Sequence, residues 1–418
     1  MKKTFFAVTA LFAFLAVSLW PAKEANAVSQ WTRKYKINCQ TCHTAFPRLT
    51  FYGEKFQRNG YQLPDEEDGD TTKEEINKNL FIDNLINMFG LRISVSPAKI
   101  ITNNLTKPSG ATTTRLSFGD PEWVQLFTAG SIFKNASIFI ETEVENTTVH
   151  NNWFTLGYHN LFGQSLLNLR VGKLSVLNWF GQSGRLRMIP NINIDGMNSV
   201  RDSIGATGVT RADQVNFSSP EAGIELFGYK GPFLYSVGVV NGATLTDNNE
   251  FKNVFGTLRL EMPDGDFAGS SLSGWGYYGT DTGTTAATAT IQRKDRFYRT
   301  GGAANLRWKA WDFIGAFLYQ RDNNWTMVVP GAVATKNDTY IASAQLGYLI
   351  NPKWFAAGQY DYTTDSRNTD SIHFNTISPS IWYMPRENMR IGFVNRSELR
   401  RRVGGRQQQF LFNVRAMF

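Results

Sequence analysis

From about Leu80 onward, apolar and polar residues alternate in short segments separated by turn-forming residues. Leu167, Leu169 and Val171 alternate with Asn168, Arg170 and Gly172, and Tyr340, Ala342, Ala344, Leu346 and Tyr348 with Ser343, Gln345 and Gly347. Near the C-terminus Phe410, Phe412 and Val414 alternate with Leu411, Asn413 and Arg415. A period of two is the signature of a strand, and one apolar face beside one polar face suits a wall between lipid and water. The pattern predicts strands near 86–96, 122–132, 136–146, 152–160, 166–176, 221–229, 233–241, 252–262, 269–279, 296–307, 313–321, 338–349, 354–364, 371–383, 389–397 and 408–418. That makes sixteen, an even number, as a closed bacterial single-chain barrel requires.

The connections also alternate. Short turns at Phe133–Asn135, Lys230–Pro232, Asn351–Lys353 and Pro385–Asn388 interleave with longer loops at 97–121, 280–295 and 322–337. In outer-membrane barrels the short turns face the periplasm and the long loops the exterior, so both termini are expected on the periplasmic side. Trp308, Trp311 and Trp354 stand beside short turns, where an aromatic girdle belongs, and a terminal Phe418 on an alternating strand resembles a barrel assembly signal. No later run is apolar enough for a membrane helix, in keeping with a mean hydropathy of −0.29. A soluble β-sandwich or barrel is the alternative, and it explains neither the loop lengths nor the girdle.

The first residues read differently. Lys2 and Lys3 precede an apolar run from Phe5 to Trp20 and an Ala25-Asn26-Ala27 site, which predicts a cleaved export signal over 1–27. Its removal takes three lysines and one glutamate, so the formal charge falls from +8 to +6. The mature chain is mildly basic, and no nucleic-acid partner is expected. Residues 28–80 form a separate small segment. Pro47 suits a first helical turn, Leu49, Tyr52, Gly53 and Phe56 follow at helical spacing, and Gly60 is placed to end the helix. A few dozen residues bury too little surface to fold alone, so a bound cofactor or the barrel must supply the rest of the core.

Chemistry enters at Cys39-Gln40-Thr41-Cys42-His43, which holds the chain's only two cysteines. The C-x-x-C-H spacing lets two thiols form thioethers with a haem while the adjacent imidazole becomes an axial ligand of the iron. This predicts one covalently bound haem c, held by Cys39, Cys42 and His43. Export agrees, since c-type haem is attached outside the cytoplasm. A short disulfide, a redox pair and half a zinc site are the alternatives, although no further Cys or His occurs between His43 and His150.

From Cys39 to Tyr61 the chain reads C-x-T-C-H-x-x-F-P-x-L-x-x-Y-G-x-x-F-x-x-N-G-Y. This run resembles the haem segment of the fused outer-membrane cytochrome–porin family, although Phe-Gly-Arg is usual there where this chain has Tyr52-Gly53-Glu54. The resemblance implies a monohaem cytochrome c segment ahead of a porin-like barrel over 81–418. It also implies an oxidoreductase role, in which electrons pass from extracellular Fe(II), or another reduced donor, to a periplasmic cytochrome or copper protein. The competing reading is a solute (anion) porin whose haem segment acts as plug, gate or redox sensor.

Further candidates follow from that frame. The longest connection, 177–220, lies where porins commonly fold a constricting loop inward, and it carries Arg185, Arg187, Arg201 and Arg211 with Met188 and Met197. Neither Met nor a further His occurs between His43 and Met88, so Met188 and Met197 are candidate sixth ligands, followed by His150 and His159. Glu141, Glu143 and Glu145 alternate on the third strand and are expected to face the lumen, as candidate Fe(II) contacts or as charges balanced by Arg170. Asp65 to Glu75 is a strongly acidic stretch, read as a solvated linker.

Overall fold

The computed structural model describes residues 29–64, 74–77, 80–82, 85–103, 112–119, 122–133, 135–145, 148–163, 165–180, 210–211, 220–242, 250–284, 293–325, 331–366, 374–401 and 406–418. Met188, Met197, Arg185, Arg187, Arg201 and the signal stretch lie outside them, as does 65–73 of the acidic stretch.

Sixteen antiparallel staves close into a barrel. The first eight are β1 (Phe89–Asn103), β2 (Glu122–Phe133), β3 (Ala136–Glu145), β4 (Thr148–Leu161), β5 (Leu167–Leu174), β6 (Glu221–Lys230), β7 (Phe233–Val240) and β8 (Asn253–Glu261). The other eight are β9 (Ser271–Thr284), β10 (Arg293–Trp308), β11 (Trp311–Asp322), β12 (Asn337–Asn351), β13 (Trp354–Asp365), β14 (Phe374–Arg386), β15 (Met389–Arg401) and β16 (Gln408–Met417). Each predicted strand has its stave, although β1 runs further into the first long loop. Two short strands at the long-loop end, Thr113–Ser117 and Thr210–Arg211, pair with β1 and β9 without adding a stave. Closure is through β1 and β16, from Gln408 opposite Thr102 to Met417 opposite Arg92. At the short-turn end, Phe418 and Leu91 exchange backbone hydrogen bonds at 2.7 and 2.9 Å.

The alternation sorts the two faces as expected. On β8 the side chains of Asn253, Phe255, Thr257, Arg259 and Glu261 are buried, whereas Leu258 is 71% exposed. An outer face of Val, Leu, Ile and Phe is the face that hydrocarbon accepts. Two aromatic belts border it. Trp308, Trp311 and Trp354 project outward at the short-turn end, with Trp311 against Tyr348 and Trp354 against Tyr383. Tyr298, Tyr319 and Tyr340 pack against one another nearer the long loops. Trp311 and Tyr319 are separated by roughly 27 Å of strand at ~3.4 Å per residue, before tilt.

The interior is not uniformly polar. After β5 the chain turns into the lumen, and Val176, Leu177 and Phe180 pack against Phe255, Trp275, Tyr277, Phe297, Leu318 and Ile341. Hydrogen bonds from Trp275 Nε1 to the Val176 carbonyl (2.9 Å) and from Ser273 Oγ to the Phe180 carbonyl (2.9 Å) fix that entry. An inward loop after the fifth strand is therefore present over 175–180. It is apolar where it meets the wall.

Candidate functional site

Residues 29–64 form a compact segment inside the short-turn end. Helix α1 (Gln30–Tyr35) stops at Lys36, which adopts a left-handed backbone. One turn of helix, α2 (Cys39–Cys42), follows and is capped by Asn38, whose side chain accepts from the Thr41 N–H at 2.9 Å. A small hairpin then pairs His43–Ala45 with Arg48–Leu49. Helix α3 (Phe51–Arg58) is capped by Thr50, whose Oγ1 accepts from the Gly53 N–H at 3.1 Å. Pro47 thus sits in the hairpin turn and does not open the helix, because His43 and Leu49 pair across it. Gly60 lies just past the helix with φ of +69°, as its predicted role at the end requires.

The helices meet closely at one point. A Cβ on Gly53 would collide with the Cys42 carbonyl, so this position of the Y-G-x-x-F run is fixed by contact with the C-x-x-C-H turn. Thr50 binds the same turn twice, through its N–H to the Cys42 carbonyl (2.9 Å) and its hydroxyl to the Thr41 carbonyl (2.7 Å).

Ion pairs join the segment to the inner face of the wall. Arg48 binds Asp312 of β11 at 2.9 and 3.1 Å, and Arg58 binds Glu261 of β8 at 2.7 Å. Glu54 accepts from Arg307 of β10 at 2.6 Å and from Arg259 of β8. Burial alone would push the Glu54 carboxyl up, but Arg259, Arg307 and Arg48 outweigh it and hold the group well below the usual carboxylate range. Ala45 joins an apolar patch with Phe355, Trp382 and Met384, and the Phe46 carbonyl accepts from Arg390 at 3.2 Å. Docking in the lumen gives this segment the core that its own length cannot.

Between segment and wall lies a partly open cavity. Cys42 and His43 line it, with apolar surface from Phe46, Leu49 and Phe56 of the segment and Phe127 and Phe139 of the wall. Tyr61 closes one side, stacked on Trp31 at 4.9 Å and on Phe139 at 5.8 Å. No disulfide joins Cys39 and Cys42, and burial followed by the neighbouring Cys39 pushes the Cys42 thiol up to about 11. Burial pushes the His43 imidazole down to about 4, despite hydrogen bonds to backbone, so the ring is neutral near pH 7. Nδ1 lies 3.2 Å from the Pro47 carbonyl, which can only accept. The proton is thereby assigned to Nδ1, and Nε2 keeps the lone pair that a metal takes. Cys42, a neutral imidazole with its Nδ1 tied back and a largely apolar lining fit a haem c, while Cys39, on the same helical turn, lines the neighbouring cavity beside Glu387. Among the described residues no group of three or more His, Cys, Asp or Glu is placed to hold a metal ion.

The other sequence candidates are dispersed. Glu141 and Glu143 face inward, and the Gln125 side-chain amide donates to both, at 2.6 and 3.1 Å. Arg92 of β1 stands 3.7 Å from Glu141. Arg170 does not balance that row. It pairs instead with Glu225 on β6, because β5 lies between β4 and β6 and its inward side chains reach the nearer neighbour. Glu145 continues the row toward the long-loop end of β3. His159 is buried with Nε2 2.7 Å from Ser137 Oγ, and does not line the cavity; His150 is exposed near the opposite end. Met417 does line it, near the end of the last stave. Sequence reading missed this methionine because closure of β16 on β1, unlike spacing after His43, brings it to the segment.

No protein-family model matches the chain, and no curated protein sequence is similar to it. Solved structures are similar in fold. The anion-selective porin from Comamonas acidovorans superposes with a TM-score of 0.55 at 10% identity, covering 79% of this chain and 99% of that one. The outer-membrane channel DcaP of Acinetobacter baumannii gives 0.51 at 11%, covering 79% and 96%. Salmonella typhi OmpF, in a complex with daunomycin, gives 0.51 at 11%, covering 83% and 100%. The chain therefore has the sixteen-stranded porin-like barrel fold.

Proposed function

We propose that this is an electron-transfer protein of the bacterial outer membrane, carrying one haem c inside the short-turn end of its barrel. The observation that carries the reading is the placement of Cys42 and His43 of a C-x-x-C-H turn on a largely apolar cavity between the segment and the barrel wall. Cys39 and Cys42 would form the thioethers, and His43 would ligate the iron through Nε2. A haem so held supplies a one-electron ferric/ferrous couple. The rest is done by the chain. Gly53 and Thr50 fix the C-x-x-C-H turn, the ion pairs of Arg48, Glu54 and Arg58 hold the segment in the wall, and the apolar lining excludes water.

Fe(II) is the donor that the family resemblance implies, and the wall offers it a route. Glu145, Glu143 and Glu141 descend the inner face of β3 from the long-loop end, and Glu141 meets Arg92 at the cavity's edge. Neighbours on one face lie ~7 Å apart along a strand, which suits weak stepwise binding of a divalent cation by oxygen ligands. A periplasmic cytochrome or copper protein would take the electron at the short-turn end. Stopped-flow mixing of the purified protein with Fe(II) tests this. Rapid growth of the reduced haem bands is expected, and haem that dithionite reduces but Fe(II) does not would remove Fe(II) as donor.

The comparisons, taken alone, favour a second reading: a solute porin, in which residues 29–64 act as plug or gate. In planar bilayers the intact protein should conduct poorly on the electron-transfer reading. A large, anion-selective conductance would support the porin.

A further inference from the structure

Among the described residues the cavity wall is rich in donors and has no acid. Gln30 is wholly buried, and neither atom of its side-chain amide has a hydrogen-bond partner; Trp31 Nε1 and Asn178 Nδ2 are likewise buried and unpartnered. All three residues line the cavity with His43, as do Arg92 and Arg170, and no Asp or Glu is among the lining residues. Each guanidinium keeps a carboxylate outside that lining, Arg92 with Glu141 at 3.7 Å and Arg170 with Glu225, so the donors that lack any acceptor are the neutral ones. Buried polar groups are nearly always satisfied, and a cluster of orphaned donors on one cavity marks the place of an acceptor.

We propose that this wall is a carboxylate-binding site. Gln30, Trp31 and Asn178 donate hydrogen bonds, and Arg92 and Arg170 supply positive potential, to the acidic groups of a ligand whose remaining surface is apolar. Phe46, Leu49, Phe56, Phe127 and Phe139 receive that apolar surface. The inference rests on the haem reading, under which the acidic groups are the two propionates. It makes the barrel part of the cofactor site, because Asn178, Arg92 and Arg170 come from the wall and the inward loop. A haem segment swinging free would lose three of the five polar contacts.

The test uses the full-length haem-loaded protein with its propionate carboxyls labelled biosynthetically with carbon-13. Redox-difference infrared spectra are compared among wild type, Gln30→Met, Trp31→Phe and the control Gln345→Met, whose residue does not line the cavity. Trp31→Phe removes the N–H while keeping an aromatic ring against Tyr61 and Phe56, so it reports even where Gln30→Met disturbs folding. The labelled carboxylate bands are expected to shift in Gln30→Met and Trp31→Phe and to stay in place in the control. Labelled bands unchanged in both variants, with haem still attached, would overturn the proposal, as would a response confined to unlabelled bands, which marks a free anion or water as the acceptor. Absence of covalent haem from the wild type is a different failure, visible on a haem-stained gel, and it removes the haem reading itself.

Discussion

Glu54 of helix α3 and Arg307 of stave β10 form an ion pair at 2.6 Å inside the barrel, linking residues 253 positions apart in the chain. Arg259 and Arg48 flank the same carboxylate. Removing one partner of a buried charge pair typically destabilises by about 3–5 kcal/mol, because the other charges stay buried without it. Glu54→Gln should therefore raise hydrogen exchange across residues 29–64 by roughly a hundredfold or more while β11 and β12 remain protected. Glu54→Arg restores the residue usual in the family that this segment resembles, but here it sets a fourth guanidinium among three and should undock the segment altogether. Unchanged exchange in both variants would mean that the pair does not hold the segment.

Acid should loosen the same segment in two stages. His43 is held neutral, from an ordinary 6.5 down to about 4, so its burial favours docking fully above pH 6.5 and progressively less as pH falls toward 4. Glu54 is depressed below its ordinary 4.5, so its contribution is present above that value and is lost as pH falls further. Exchange of residues 29–64, measured from pH 7 to pH 4 on protein without haem, should rise in this window, and a flat profile would contradict it.

Met417 is the one methionine lining the cavity among the described residues, and a thioether is a common partner to His on haem iron. Met417→Leu should abolish any thioether-to-iron charge-transfer band of the ferric protein and lower its potential. The same loss in Met188→Leu or Met197→Leu, with Met417→Leu unaffected, would place the ligand in the long connection.

Glu143 and Glu145 provide a check on the Fe(II) route. Replacing both with glutamine should slow haem reduction by Fe(II) severalfold and leave reduction by dithionite unchanged. Fe(II) reduction at the wild-type rate would leave the row as the polar wall of a barrel.

The staves were legible because a wall between lipid and an interior imposes a period of two over every strand, and alternating loop lengths mark the two ends. The position of the N-terminal segment was less legible. Arg48 with Asp312, and Arg58 with Glu261, join residues more than two hundred positions apart, and no local pattern encodes such pairs. Pro47 illustrates the limit at short range. Its residue type suits a helix start, yet pairing of His43 with Leu49 made it a turn. Arg170 and Glu225 illustrate it at long range, since the side chain's face followed from alternation but its neighbour followed from which staves adjoin.

The electron-transfer reading turns on whether Cys39 and Cys42 hold a haem covalently within this barrel. A denaturing gel of the purified protein, made in cells that mature other c-type cytochromes and stained for haem peroxidase activity, tests it most directly. One stained band at the mature mass is predicted, absent from Cys39→Ala/Cys42→Ala. An unstained wild-type band would contradict the reading.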